Sequence, residues 1–261
     1  MSKITFKGSL SRAVQEYRYF TKRPWSLKEV GDFWDTVEEY DEINERLATY
    51  YRRFTDSYTL AIPFLPRNDY RLLDIQARSG KGTEFWHKKG KIASAVCVDF
   101  SDHLARMAQK RLHNIGLRFE SLKVLDWPLP FEDKSFDFIC SYETVEHVYD
   151  YRKFIAELAR VLSDDGILIV TCPNPSWEWV HWTSAVLNIT HSEGPHRFIG
   201  RSDLLRCFHS CGLKPVAQSQ NIIIPFNGLA AQKANTIAEC MLPAFLKNHF
   251  ALRQMFILAK M

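Results

Sequence analysis

The chain has 261 residues, 46% hydrophobic and 25% charged, with a formal net charge of +4. That balance excludes disorder of the whole chain and suits one α/β domain with an extra segment. The basic excess is mild and sits in small groups without interleaved aromatics, such as Lys88, Lys89 and Lys91. It reads as solvated surface, and no nucleic-acid partner is expected. The N-terminus lacks a continuous apolar region, and no stretch approaches the ~20 apolar residues of a membrane span, so stable membrane insertion is not expected. Of the six cysteines, three sit in apolar runs. Cys207 and Cys211 lie four apart without a second pair at zinc spacing, so no metal site is expected. A reducing, cytoplasmic location fits these features.

From Ser11 to about Pro66 the pattern is helical, with Phe33, Trp34, Val37, Tyr40 and Ile43 at spacings of three and four and Ser26 as an N-cap. Residues 1–69 are expected to form an N-terminal helical cap and residues 70–261 the main domain. From Tyr70 onward, short apolar runs alternate with helical stretches. The runs are RLLDI, SAVCVDF, LRFESLKV, FDFICS and GILIVTC. Helices are expected after Gly80, over Ser101–His113 and over Tyr151–Leu162, with Asp164-Asp165-Gly166 as the turn into the next strand. Such alternation implies parallel βαβ units in a doubly wound α/β sheet. A Trp- and His-rich insertion then runs to about Gly200, followed by a helix over Arg201–Cys211. Two terminal runs, LKPVAQSQNIII and RQMFILAKM, suit an antiparallel pair at the sheet edge.

In such sheets ligands bind beyond the carboxyl ends of the strands. Asp74, Asp99 and Asp126 end or follow the first three strands, and Ser141, Tyr142 and Glu143 follow the fourth. A rim of acceptors suits ribose hydroxyls and amino groups rather than phosphates. Each carboxylate taken alone equally suits a helix cap or turn.

The most specific stretches are Trp127-Pro128-Leu129-Pro130-Phe131-Glu132-Asp133-Lys134-Ser135-Phe136-Asp137 and Glu143-Thr144-Val145-Glu146-His147-Val148, followed by Ala159-Arg160-Val161-Leu162, Gly166 and Pro173-Asn174-Pro175. In this order they resemble the class I S-adenosylmethionine-dependent methyltransferases, in particular the small-molecule branch that includes quinone and glycan methyltransferases. The resemblance implies a mostly parallel seven-stranded sheet, with N-terminal helices and an insertion after strand 5. It also implies S-adenosyl-L-methionine as cofactor and methyl transfer to a small-molecule or lipid- or glycan-linked acceptor, most readily at oxygen. Asp99 would then hold the ribose hydroxyls. Asp126 would accept from the adenine amino group, with Trp127 and Phe100 flanking the ring. Asp74 would organise the methionine end beside Gly80, Tyr142 and Glu143, and Tyr40 would cover that end. His147 is the candidate catalytic base, or a hydrogen-bonded histidine in the wall of the site.

One loop departs from the family pattern. After Asp74 the family carries Gly-x-Gly-x-Gly, whereas this chain reads Ile75-Gln76-Ala77-Arg78-Ser79-Gly80, keeping only the third glycine. Either the loop has adapted to the cofactor, or Gln76 and Arg78 occlude the pocket and leave a non-catalytic partner or scaffold subunit. The insertion carries Trp177, Trp179, Trp182, His181, His191, His196 and Arg197, and would wall a large, partly apolar acceptor pocket, rest at a membrane interface or form a satellite core. Neither the acceptor's identity nor the oligomeric state follows from the sequence.

Overall fold

The computed structural model describes residues 13–261 except 15, 20, 22, 23, 48 and 188–191. The start of the expected N-terminal helix and His191 lie outside the described residues. Helical residues at 13–14 and 16–19 precede three short helices, α1 (Leu27–Trp34), α2 (Tyr40–Glu45) and α3 (Arg52–Ala61). Then follow β1 (Tyr70–Ile75), α4 (Lys81–Lys88), β2 (Ile92–Asp99), α5 (Asp102–Asn114), β3 (Arg118–Lys123), β4 (Phe136–Tyr142), α6 (Tyr151–Val161) and β5 (Leu162–Pro173). The remainder is α7 (Glu178–Val186), α8 (Arg201–Ser210), β6 (Leu213–Asn221), α9 (Leu229–Met241), α10 (Ala244–Phe250) and β7 (Arg253–Lys260).

The strands form one seven-stranded sheet in the order β3-β2-β1-β4-β5-β7-β6. β1 to β5 pair in parallel, and β7 runs antiparallel between β5 and β6. Strand order reverses between β1 and β4, so the ends of β1, β2 and β4 open on one crevice. Alternate strand residues feed two cores. Leu73, Ile75, Val98 and Ile139 pack with Trp34, Leu104 and Phe154 on one face. Leu72, Cys97, Phe138 and Cys140 pack with Phe54 and Trp86 on the other. The near-continuous burial of β1, β4 and β5 is what a sheet covered on both faces requires.

Three local expectations are corrected. The segment up to Pro66 is not one helical run. The chain leaves α1 at Asp35, whose carboxylate accepts hydrogen bonds from the Ser101 hydroxyl (2.6 Å) and the His103 backbone N–H (2.9 Å). That anchorage at the start of α5 turns the chain, and Val37 falls in the turn between α1 and α2. Asp164-Asp165-Gly166 lies inside β5, beside an irregularity in its pairing with β4. The stretch before β7 carries two helices, α9 and α10, which the terminal runs did not announce. Ser26 caps α1 as expected, in a reciprocal arrangement with Glu29.

Gly31 marks how closely the first helix lies on the crevice. A Cβ there would sit 2.0 Å from the Phe100 carbonyl oxygen. Backbone cannot yield as a flexible side chain does, so Gly31→Ala is expected to destabilise the protein by about 1–3 kcal/mol despite alanine's better helix propensity. A thermal melt that rises instead would show that α1 does not press on that loop.

Candidate active site

In the loop after β1, two side chains stand where the family pattern has glycine, and the backbone beneath them is left-handed. Gln76 and Arg78 both have φ of 54°, and Gly80 has 77°. The three positions that carry glycine in the family are therefore all left-handed here, two of them against a cost of about 1–2 kcal/mol per residue. The loop is held by Ala77 N–H to Val98 O (3.0 Å) and by Arg78 N–H to Asp99 Oδ2 (2.7 Å). The Gln76 amide is buried, and neither its nitrogen nor its oxygen has a partner. The Arg78 guanidinium turns into the crevice. It donates to the Tyr40 hydroxyl (3.1 Å) and the Glu143 carbonyl (2.7 Å) and lies 5.2 Å from the Trp34 ring, while its Nε has no partner.

The acceptors divide by environment. Asp74 is fully buried, accepts from the Thr83 hydroxyl (2.6 Å), and is pushed by burial up to about 7. Asp99 accepts from the backbone N–H of Phe100 and Ser101 as well as Arg78, and burial raises it to about 6. Burial alone would raise Glu143 too, but the Arg253 and Arg53 guanidiniums outweigh it and hold the carboxylate at about 2. Tyr142 faces the same crevice, with its hydroxyl bonded to Ser57 and the Trp86 indole N–H. Asp126 stands apart: it is exposed and accepts from the backbone N–H of Trp127, whose ring packs on Phe154. Phe100 is fully buried in the core and presents no free ring face.

The N-terminal helices close the crevice from above. Tyr40 is buried against Trp34. Its neighbour Asp41 accepts from Ser79 Oγ (2.6 Å) and Arg111 (2.5 Å), tying α2 to the loop. What remains is a cavity of about 40 Å³, lined among others by Trp34, Arg78, Glu146, His147, His181 and Phe198, and one of about 20 Å³ beside Asp74, Gln76 and Gly82. Such volumes admit water, at roughly 10–15 Å³ each. A larger ligand enters only if Arg78 and the cap helices move.

His147 lines the larger cavity with its Nδ1 3.1 Å from the Pro195 carbonyl, which sets Nδ1 as the protonated nitrogen. Burial, then the Arg78 charge, lowers its pKa to about 3. The ring is neutral and a weak base, poorly matched to taking a hydroxyl proton near neutrality. Glu146 beside it is pushed well up by burial, and its Oε2 has no partner. Within the insertion, His181 rather than a tryptophan reaches the cavity. Trp177 donates to the Phe250 carbonyl, and Trp179 and Trp182 are exposed. Arg53, Arg253 and Asp35 were not singled out in the sequence as site residues. No local signal marks the first, whereas a lone arginine opening the otherwise apolar last strand is a cue that Arg253 is paired.

These shifts set a pH dependence. An acid whose folded pKa is raised resists ionisation in the fold, so stability falls as pH climbs from its ordinary value to the raised one. For Asp74 that window runs from 3.8 to about 7. Thermal stability should therefore drop between pH 5 and 7 by up to about 1.4 kcal/mol per unit, and Asp74→Asn should flatten the slope. An unchanged slope in that variant would place Asp74 outside the effect. His147 works in the opposite sense, losing stability as pH falls from 6.5 towards about 3.

Residues 73–170 match a family described as a methyltransferase domain. Among curated relatives, the chain is 29% identical over 159 residues to phthiotriol/phenolphthiotriol dimycocerosates methyltransferase 1 of Mycobacterium ulcerans (strain Agy99), covering 60% of this chain and 55% of the relative. It is 27% identical over 141 residues to a ubiquinone/menaquinone biosynthesis C-methyltransferase of Cronobacter sakazakii (strain ATCC BAA-894), covering 53% and 56%. The matches thus span little more than half the length of these relatives. Among solved structures, the 4+2 cyclase SpnF superposes with a TM-score of 0.65 at 18% identity, over 90% of this chain and 97% of that one. A geranyl diphosphate methyltransferase superposes with 0.60 at 14%, over 90% and 98%. Likeness at that identity establishes the fold and not the reaction. The match over residues 73–170, the curated relatives and the shared fold together make this chain similar to methyltransferases, with the matched segment lying in the part of the sheet that carries the strand-end acidic rim.

Proposed function

We propose that this chain transfers the methyl group of S-adenosyl-L-methionine to a small-molecule acceptor, at oxygen, in the cytoplasm. The observation that carries the reading is the left-handed backbone at residues 76, 78 and 80, a conformation that glycine adopts freely and that Gln76 and Arg78 adopt at a cost. Strain of this kind persists where a site requires it. The unpartnered polar atoms match the group's chemistry. An aminoacyl end offers a carboxylate to the Gln76 amide N–H and Arg78, and an ammonium to the Gln76 amide oxygen and Asp74. Asp99 suits the ribose hydroxyls, and the exposed Asp126, beside Trp127, would accept from the adenine amino group. When bound, the cofactor supplies an electrophilic sulfonium methyl.

The rest is work for this chain. Residues 1–69 serve as a cap, with Tyr40 and Trp34 excluding water over the loop. Arg78 exchanges the Tyr40 hydroxyl and Glu143 carbonyl for a ligand carboxylate. His147, neutral and protonated at Nδ1, offers Nε2 as an acceptor that orients a hydroxyl, a positioning role consistent with its weak basicity. His181 and Phe198 wall the acceptor side. The names of the relatives, a phthiotriol/phenolphthiotriol dimycocerosates methyltransferase and a C-methyltransferase of ubiquinone/menaquinone biosynthesis, support a large, partly apolar acceptor, and a lipid- or glycan-linked one fits the same wall. Transfer of labelled methyl from the cofactor into extractable hydroxylated quinones or phenols tests the reading. His181→Ala should raise the acceptor KM by about tenfold, the scale of one lost side-chain contact, and leave cofactor affinity unchanged. The rival, a non-catalytic partner subunit, draws on the Arg78 side chain filling the crevice; it predicts no transfer and no cofactor binding.

A further inference from the structure

The segment between β6 and β7 is built inside out. On α9, Asn235 and Glu239 face inward. The Asn235 amide oxygen accepts from the Ile223 and Ile224 backbone N–H groups (2.7 and 2.9 Å). Glu239 accepts from the Ile222 N–H and pairs with Arg52 (2.8 Å). Leu229, Ile237 and Met241 are 70%, 58% and 77% exposed. At 100° per residue these three fall within about 120° of one another, opposite the polar pair. A helix of a water-soluble domain ordinarily buries its apolar side, so this one presents a face that water alone does not favour. Phe226 before it, and Phe245 and Phe250 on α10, are also more than half exposed.

Charge indicates what covers this face. Between Phe226 and Phe250 the acid is Glu239, turned inward and paired, while the basic residues are Lys233, exposed among the apolar residues, Lys247, which donates to the Glu239 carbonyl, and His249. An apolar, aromatic stripe carrying lysine and no outward carboxylate fits an anionic lipid surface. Position indicates why. The acceptor wall is bonded to α10: Asn174 Nδ2, Ser176 Oγ and Trp177 Nε1 donate to the carbonyls of Asn248, His249 and Phe250. From there α7 carries the exposed Trp179 outward and His181 into the cavity.

We propose that α9 and α10 lie on an anionic phospholipid surface and hold the acceptor side of the crevice against it, so that an acceptor dissolved in the membrane reaches the site without crossing water. The proposal rests on methyl transfer for its purpose, but docking is measured apart from it. Sedimentation of the full chain with vesicles of phosphatidylcholine mixed with phosphatidylglycerol, and with phosphatidylcholine alone, provides the test. The expected result is binding to the mixed vesicles that weakens as salt rises. The double variant Ile237→Glu/Met241→Glu should reduce partitioning by about tenfold or more, with thermal stability and S-adenosyl-L-methionine titration unchanged. Lys233→Glu should weaken binding to the mixed vesicles alone. Failure of the wild type to sediment with either vesicle would overturn the proposal, as would equal binding by the double variant. So would a dimer in sedimentation velocity that the double variant splits without any vesicle binding, which would assign the face to a second copy of this chain.

Discussion

Glu143→Ala is expected to lower the unfolding free energy by about 3–5 kcal/mol, the largest single-residue effect anticipated in this protein. The carboxylate lies buried between Arg53 on α3 and Arg253 at the start of β7, while its own carbonyl receives Arg78. Its removal leaves two buried guanidiniums facing each other without compensation, at the point where the cap, β4 and β7 meet. Glu143→Gln should recover part of the loss, because an amide oxygen still accepts from one arginine. Urea unfolding measures both. A loss below about 1 kcal/mol for the alanine variant, the scale of a solvated pair, would mean that the cluster is open to water.

The second large effect concerns the loop. Replacing Gln76 and Arg78 together by glycine releases left-handed strain of about 1–2 kcal/mol at each position, so the loop itself loses nothing in backbone terms. If these side chains meet the aminoacyl end of the cofactor, the double variant should bind S-adenosyl-L-methionine more weakly by about 1.5–3 kcal/mol, the range for a hydrogen bond to a charged group. If instead Arg78 merely fills the crevice, the same variant should bind where the wild type does not. The two readings thus predict opposite signs in one calorimetric comparison.

Much of the architecture was legible because βαβ alternation has a periodicity that short runs such as RLLDI and GILIVTC display directly. The antiparallel pair at the sheet edge was legible for the same reason. The segments that failed depend on contacts distant in sequence. Asp35 breaks the N-terminal helical run by capping α5, more than sixty residues on, and no local pattern announces that. α9 escaped because its polar and apolar faces are exchanged, so its periodicity does not mark a buried side. Among the site residues, Asp74 and Asp99 could be placed at strand ends from the sequence, but not their surroundings. Asp99 accepts from three backbone N–H groups, so Asp99→Ala costs the fold as well as any ligand, contrary to what a rim position suggests. The sequence also showed that Gln76 and Arg78 replace glycines. It could not show that the backbone keeps the glycine conformation.

The central claim is that this strained loop is a cofactor site, and titration of the wild-type chain with S-adenosyl-L-methionine by calorimetry across pH 5 to 8 tests it most directly. As the carboxylate, Asp99 accepts from both ribose hydroxyls, whereas protonation turns one of its oxygens into a donor and weakens it as an acceptor; burial raises its carboxyl to about 6. The account predicts one-site binding that is strongest at the upper end of this range and weakens as pH falls below about 6, approaching tenfold per unit. Absence of binding at every pH, with binding appearing in the Gln76→Gly/Arg78→Gly variant, would contradict it.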